Sequence, residues 1–147
     1  DAHEEDDSTW IHTSFITRKL NSIKANNILV IADSCYSGTM TRGIVKPSEI
    51  KLKPQSYHLQ TKTRIAMSSG GVKPVLDGGG GGHSIFARML INKLKGNSEL
   101  LTSTQIYGSI SKKVLEASTE KKYPQNPSIK FLTESGHEEA DFVFIPN

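Results

Sequence analysis

Apolar residues along the chain change period several times, and each change marks an element. Ile16, Leu20 and Ile23 fall at i, i+4 and i+7 behind the caps Thr13 and Ser14, which predicts a short amphipathic helix ending near Lys24. Ala25 and Asn26 close it. Ile28-Leu29-Val30-Ile31-Ala32 is continuously apolar with three β-branched residues, and predicts a strand buried on both faces that feeds a tight turn. From Thr39 to Lys62 no period survives among Lys, Pro, Ser and Gln. That stretch exceeds the ~12 to 15 residues usual for a structureless connection, so it is expected to be functional or disordered. Thr63 to Ser68 reads as a second strand, ending in Ser69-Gly70-Gly71. The glycine run Asp77 to His83-Ser84 leads into a helix with Ile85, Phe86, Met89, Leu90 and Leu94 on one face and a stop at Gly96. Thr102 and Gln105 form a capping box for the next helix, which points Ile106, Ile110, Val114 and Leu115 inward and frays near Ser118. Ile129 to Leu132 and Phe142 to Ile145 are late short strands. The alternation of strand and helix predicts an α/β fold with a mostly parallel sheet.

Composition narrows the class. At 147 residues the chain is long enough for one domain with its own core and too short for two comfortable ones. Lys and Arg number 18 against 15 Asp and Glu, and a net charge of +3 is too small for a polyanion-binding signature. The basic stretches Lys46 to Arg64 and Lys112 to Lys122 lack aromatic interleaving and read as solvated surface or loop, so no nucleic-acid partner is expected. Cys35 is the only cysteine, which rules out an internal disulfide and fits a reducing, cytoplasmic setting. No stretch approaches the ~20 apolar residues of a membrane span, so no membrane partner is expected. The acidic opening Asp1 to Asp7, without an initiator Met or signal peptide, reads as the start of a fragment or processed subunit.

Cys35 would sit at the carboxyl end of the first strand, the edge where open α/β sheets bind ligands. The ordinary fate of a lone cysteine is burial as a small hydrophobe. A nucleophilic role needs a base or a positive field, because a thiol of pKa about 8.5 is only a few per cent ionised at neutral pH. The turn Tyr36-Ser37-Gly38 can aim backbone amides at the sulfur, and the amide of Cys35 is placed for an oxyanion hole. Asp33, two residues earlier on a strand, opens on the same side as the thiol. An acid there raises the thiol pKa unless it is committed to a cation, and recognition of a substrate Arg or Lys is the economical role.

With these residues in view, Asp33-Ser34-Cys35-Tyr36-Ser37-Gly38 resembles the catalytic-cysteine motif of the metacaspases and bacterial caspase-like peptidases, within the caspase-fold cysteine peptidases. Ser68-Ser69-Gly70-Gly71-Val72-Lys73-Pro74-Val75-Leu76-Asp77, the glycine run, His83-Ser84-Ile85-Phe86-Ala87 and Gly136-His137-Glu138-Glu139-Ala140-Asp141-Phe142 resemble the second half of such domains, in the same order. The resemblance spans about residues 26 to 146. It implies a caspase-like three-layer α/β/α sandwich with a mostly parallel central sheet. Residues 1–147 would then be the C-terminal portion of one catalytic domain: 1–38 the catalytic-cysteine segment, 39–62 a lysine-rich linker loop and 63–147 a small-subunit-like part. It further implies a cysteine endopeptidase acting on proteins or peptides after Arg or Lys, with Cys35 as nucleophile. Asp33, Ser69, Gly70 and Asp77 are the implied substrate-binding residues.

Caspase-type sequences carry the catalytic histidine about 50 residues before the cysteine, which is upstream of this chain. His3 and His12 are too close and lack the family's Gly-His-Gly setting. The base is therefore expected from an N-terminal fragment of the same domain, and this chain alone is expected to be inactive. No metal or cofactor is expected. The acidic run Glu4, Glu5, Asp6 and Asp7 offers carboxylates for the calcium that some metacaspases need, but lacks the ordered spacing of a calcium loop.

Other features compete for meaning. His83, opening a helix after five glycines, reads as a helix-start or substrate-loop residue ahead of a base acting in trans; His58 and His137 are expected at the surface. Asp77 to Ser84 nearly matches phosphate-loop spacing, but Asp replaces the first Gly and His replaces the Lys, which removes the main phosphate contact. Flexible glycine backbone suits a peptide-binding loop better. In the linker, Arg42, Lys46, Lys51, Lys53 and Lys62 are sites at which an enzyme specific for basic residues could cut. The rival from another class is a caspase-like pseudoenzyme or interaction scaffold, and a third, weaker reading is a nucleotide-binding module built on the glycine run.

Overall fold

The computed structural model of the protein describes residues 13–33, 53–70 and 82–146. Its elements are α1 (Thr13–Ser22), β1 (Asn27–Ala32), α2 (Gln55–Gln60), β2 (Thr63–Ser68), α3 (Ile85–Lys95), β3 (Leu101–Thr102), α4 (Ser103–Glu120), β4 (Ser128–Phe131) and β5 (Val143–Phe144), with a 3-10 turn at Thr133–Ser135. The class is α/β.

β1 and β2 are parallel, in register from Asn27 opposite Thr63 to Ala32 opposite Ser68. β4 lies antiparallel on the other side of β2, with Ser128 opposite Ser68 and Phe131 opposite Ile65. β3 and β5 form a separate antiparallel pair. Among the described strands the three-stranded sheet is thus mixed, where the sequence predicted a mostly parallel one. The reason is the number of helices between strands. A single helix returns the chain to the start of a parallel neighbour, but two helices in succession, α3 and α4, bring it back to the edge it left, where Gln125 and Asn126 stand beside Gly70. β4 must then run the opposite way.

The core lies between β2 and the two helices. Ile65 and Met67 of β2 pack with Ile85, Phe86 and Leu90 of α3, Ile106, Ile110 and Val114 of α4, and Ile129 of β4. Burying a side chain of this size contributes about 1.5–3 kcal/mol, so this cluster dominates the apolar stabilisation. The Thr102–Gln105 capping box forms as expected and starts α4. Leu115, expected inward, is exposed, because Ile106, Ile110 and Val114 recur every four residues and the next position turns out of their stripe.

Three further expectations change. β1 is not buried on both faces: it is one of the two outer strands of the described sheet, and Ile31 is 44% exposed. β2, with all six residues buried, has that role instead. The stretch 39–62, expected to be functional or disordered and without a legible period, contains α2, about a turn and a half just before β2. Ile23 falls after α1 ends and is exposed.

The basic stretch Lys46 to Arg64 reads as solvated surface or loop, yet Arg64 is 0% exposed. Side chains alternate along a strand, so between Ile65 and Thr63 it points away from the apolar core. Its guanidinium donates to the carbonyls of Leu20, Ile23, Ala25, Asn26 and Thr63, gathering the free carbonyl end of α1 and the connection into β1.

Candidate functional site

The parallel pair fixes where its carboxyl edge lies. Ala32 and Ser68 are the last paired residues, and the Ser69 amide donates to the Ala32 carbonyl at 3.0 Å. Asp33 and Ser69 are therefore the first residues past the edge, at the same level. Asp33 is exposed, whereas Ser69 and Gly70 are buried.

α3 begins at this same edge. Gly82 has φ +77°, a left-handed conformation that glycine adopts at no steric cost, and His83 beside it is exposed. Ser84 follows as the cap of α3: its hydroxyl oxygen accepts from the Ala87 amide at 2.9 Å and its O–H donates to Oδ2 of Asp33 at 2.7 Å. A distance of 2.7 Å belongs to the short range of a hydroxyl bonded to a carboxylate. Asp33 thus keeps an exposed carboxylate that is oriented through one oxygen by a helix start.

The return from α4 to β4 reaches the edge from the other side. A Cβ on Gly70 would stand 3.9 Å from both the Gln125 Cβ and the Asn126 backbone nitrogen. The Gln125 backbone amide donates to Ser118 Oγ at 2.8 Å, yet among the described residues both polar atoms of its side chain are buried without a partner, as is Oγ of Ser69. Leaving such atoms unpaired costs about 1–3 kcal/mol each, so the edge carries unspent polar capacity around Gly70.

Of the residues singled out from sequence, Asp33, Ser69 and Gly70 come together at this edge; Cys35 and Asp77 lie outside the described residues. So do His3, His12 and the acidic run Glu4 to Asp7. Ser84 and Gln125 were missed as site residues. Ser84 had a signal in its position just before an apolar helical run, but nothing in the sequence ties it to Asp33, 51 residues away. Gln125 stands between two prolines in Pro124-Gln125-Asn126-Pro127, which marks a fixed loop without saying what it faces.

His58 and His137, expected at the surface, are not free surface groups. His58 is buried, its Nδ1 accepting the Asp141 amide at 3.0 Å. His137 is half-buried, stacked on Phe131 with ring centres 4.2 Å apart, and its Nδ1 accepts the Arg64 amide at 3.0 Å. Burial holds its pKa below the ordinary value. Ser103, Asp141 and His58 together invite comparison with a nucleophile triad. The geometry is otherwise: the Ser103 hydroxyl donates to the Asp141 carboxylate, and His58 meets only the Asp141 backbone. The imidazole is therefore not the hydroxyl's hydrogen-bond partner, and the triad order Ser–His–Asp is not formed.

Among the described residues no group of His, Cys, Asp and Glu is placed to hold a metal ion, and no helix is long and apolar enough to cross a membrane. In comparisons with known proteins, no family model matches this chain, and no curated protein or solved structure matches it either.

Proposed function

We propose that this chain is the C-terminal part of a caspase-fold cysteine endopeptidase that cleaves after Arg or Lys. The observation that carries the reading is Asp33: an exposed carboxylate at the carboxyl edge of a parallel strand pair, two residues before the single cysteine. In this reading Asp33 takes the substrate's basic side chain by a charge-assisted hydrogen bond. The thiolate of Cys35 attacks the carbonyl carbon that follows it. A histidine from an upstream segment accepts the thiol proton and delivers it to the leaving amine as the peptide bond breaks. Water then cleaves the resulting thioester, and the thiol is restored.

β1 supports the need for that upstream segment. Its outer side is unpaired among the described strands, and Ile31 remains 44% exposed in a run of five apolar residues. A strand bearing the histidine would cover it and extend the sheet toward the three-layer sandwich of the family.

The test is cleavage of fluorogenic peptides ending in Arg, Lys or a neutral residue by the complete protein, with and without calcium. Cys35→Ala should lower turnover by about a thousandfold or more. Asp33→Ala should lower kcat/KM for the Arg peptide by roughly a hundredfold while leaving the fold intact. Cleavage retained by the Cys35→Ala protein would refute the nucleophile assignment. A stable complete protein that cleaves none of the peptides favours the scaffold reading instead.

A further inference from the structure

We propose that Ser84 is the positioning residue of the basic-residue pocket, fixing the Asp33 carboxylate so that Oδ1 is presented to a substrate cation. The proposal rests on the peptidase reading, and deepens it by naming what sets its specificity.

Two bonds meet at the Ser84 hydroxyl. Its oxygen accepts the Ala87 amide of α3 at 2.9 Å, and its single proton goes to Asp33 Oδ2 at 2.7 Å. A hydroxyl has only one proton to give, so the cap bond leaves the donor free for the carboxylate, and the two bonds polarise each other in the same direction. Ser84 is itself 5% exposed, whereas Asp33 is exposed. The donor is thus fixed and the acceptor faces solvent.

Ser84 is held by the core. Ile85 and Phe86, the next two residues, are buried at 3% and 0% exposure among the residues of β2 and α4, and the Ser84 carbonyl accepts the Arg88 amide at 3.0 Å. The hydroxyl cannot drift without lifting Phe86 out of its packing. Asp33, by contrast, lies past the end of β1 and has no strand partner among the described residues to orient it. Its side chain takes its direction from Ser84. Among the described residues only Oδ2 is engaged, which leaves Oδ1 as the oxygen that meets the guanidinium or ammonium group.

Such a bond acts on binding of the basic side chain, which is the same before and during bond cleavage. Its loss should therefore raise KM without changing kcat. The informative variant is Ser84→Gly, since Gly caps a helix almost as well as Ser and removes only the hydroxyl. In the complete protein, KM for an Arg peptide should rise roughly threefold to thirtyfold. The kcat, the melting temperature and the cleavage of a matched peptide with citrulline in place of Arg should stay near wild type. Ser84→Thr, which keeps both bonds, should restore the Arg KM.

An Arg KM unchanged in Ser84→Gly, together with lost Arg preference in Asp33→Ala, overturns the positioning role and leaves the pocket standing. Equal losses on the Arg and citrulline peptides overturn it as well, because a purely structural role acts on all substrates alike. If Asp33→Ala itself leaves the Arg preference unchanged, the pocket reading fails and this proposal with it.

Discussion

Nη1 of Arg64 lies 2.8 Å from the carbonyl oxygen of Asn26, the residue immediately before β1. The same guanidinium holds the carbonyls of Leu20, Ile23, Ala25 and Thr63, so one side chain closes the connection from α1 to β1. Burial lowers the pKa of Arg64 from its usual value, yet a guanidinium remains charged, and carbonyl oxygens are its only partners in this set. Lys has three donors at a single point and cannot span five carbonyls. Arg64→Lys should cost about 2–4 kcal/mol, read as a lower urea midpoint with an unchanged slope. A midpoint equal to wild type would mean that water satisfies those carbonyls as well as Arg64 does.

Asp141 performs the matching task at the other end of the chain. Its Oδ1 accepts from the Ser103 hydroxyl and, at 2.8 Å, from the Phe142 amide, and its Oδ2 accepts from the Thr104 amide at 3.2 Å. The buried carboxylate thus caps the start of α4, where the helix dipole favours an anion. Asp141→Asn places an NH2 group against at least one of these donors. A loss of about 1–3 kcal/mol is expected in chemical denaturation, with the β3–β5 pair loosening first. Hydrogen exchange at Ser103 and Phe142 measures that order, and protection equal to wild type at both sites would rule it out.

His137 gives the protein an acid-sensitive contact. Because Nδ1 accepts the Arg64 amide, the neutral ring carries its proton on Nε2, which is buried without a partner among the described residues. Desolvation, the largest cause, lowers its pKa; the charge of Asp141 opposes it, that of Arg64 lowers it further by less, and Glu138 opposes it least. The folded state therefore resists a proton that the unfolded chain takes up near 6.5. The contribution is complete above about pH 6.5 and is lost as pH falls below it toward the folded value. His137→Asn keeps an acceptor for the Arg64 amide and does not titrate. Urea midpoints between pH 8 and pH 5 should decline less steeply for this variant than for wild type, and parallel curves would discount His137 as a source of the acid sensitivity.

Much of the fold was legible locally. The Thr102–Gln105 box, the apolar face of α3 and the four-residue spacing of Ile106, Ile110 and Val114 each follow from contacts within a turn or two, which is the range over which sequence pattern acts. What failed was long-range. The depth of β1 depended on its place in the sheet, the direction of β4 on how two helices pack, and the burial of His58 on a residue 83 positions away. The site divides the same way. Asp33 stood out through its place on a strand two residues before the only cysteine, Ser69 and Gly70 through the family resemblance, and the strand register then set Asp33 and Ser69 side by side.

The sequence by itself determined the starts of α3 and α4, most of their apolar faces, the strands β1 and β2 and the position of an acid two residues before the only cysteine, because periodicity and capping are properties of neighbouring residues. Only the tertiary structure decided which partners those residues have. It placed Ser84 on Asp33, made Arg64 a buried carbonyl clamp and brought Gln125 against Gly70. Hydrogen bonds between distant segments depend on how helices return to the sheet, and that path is set by the packing of the whole core.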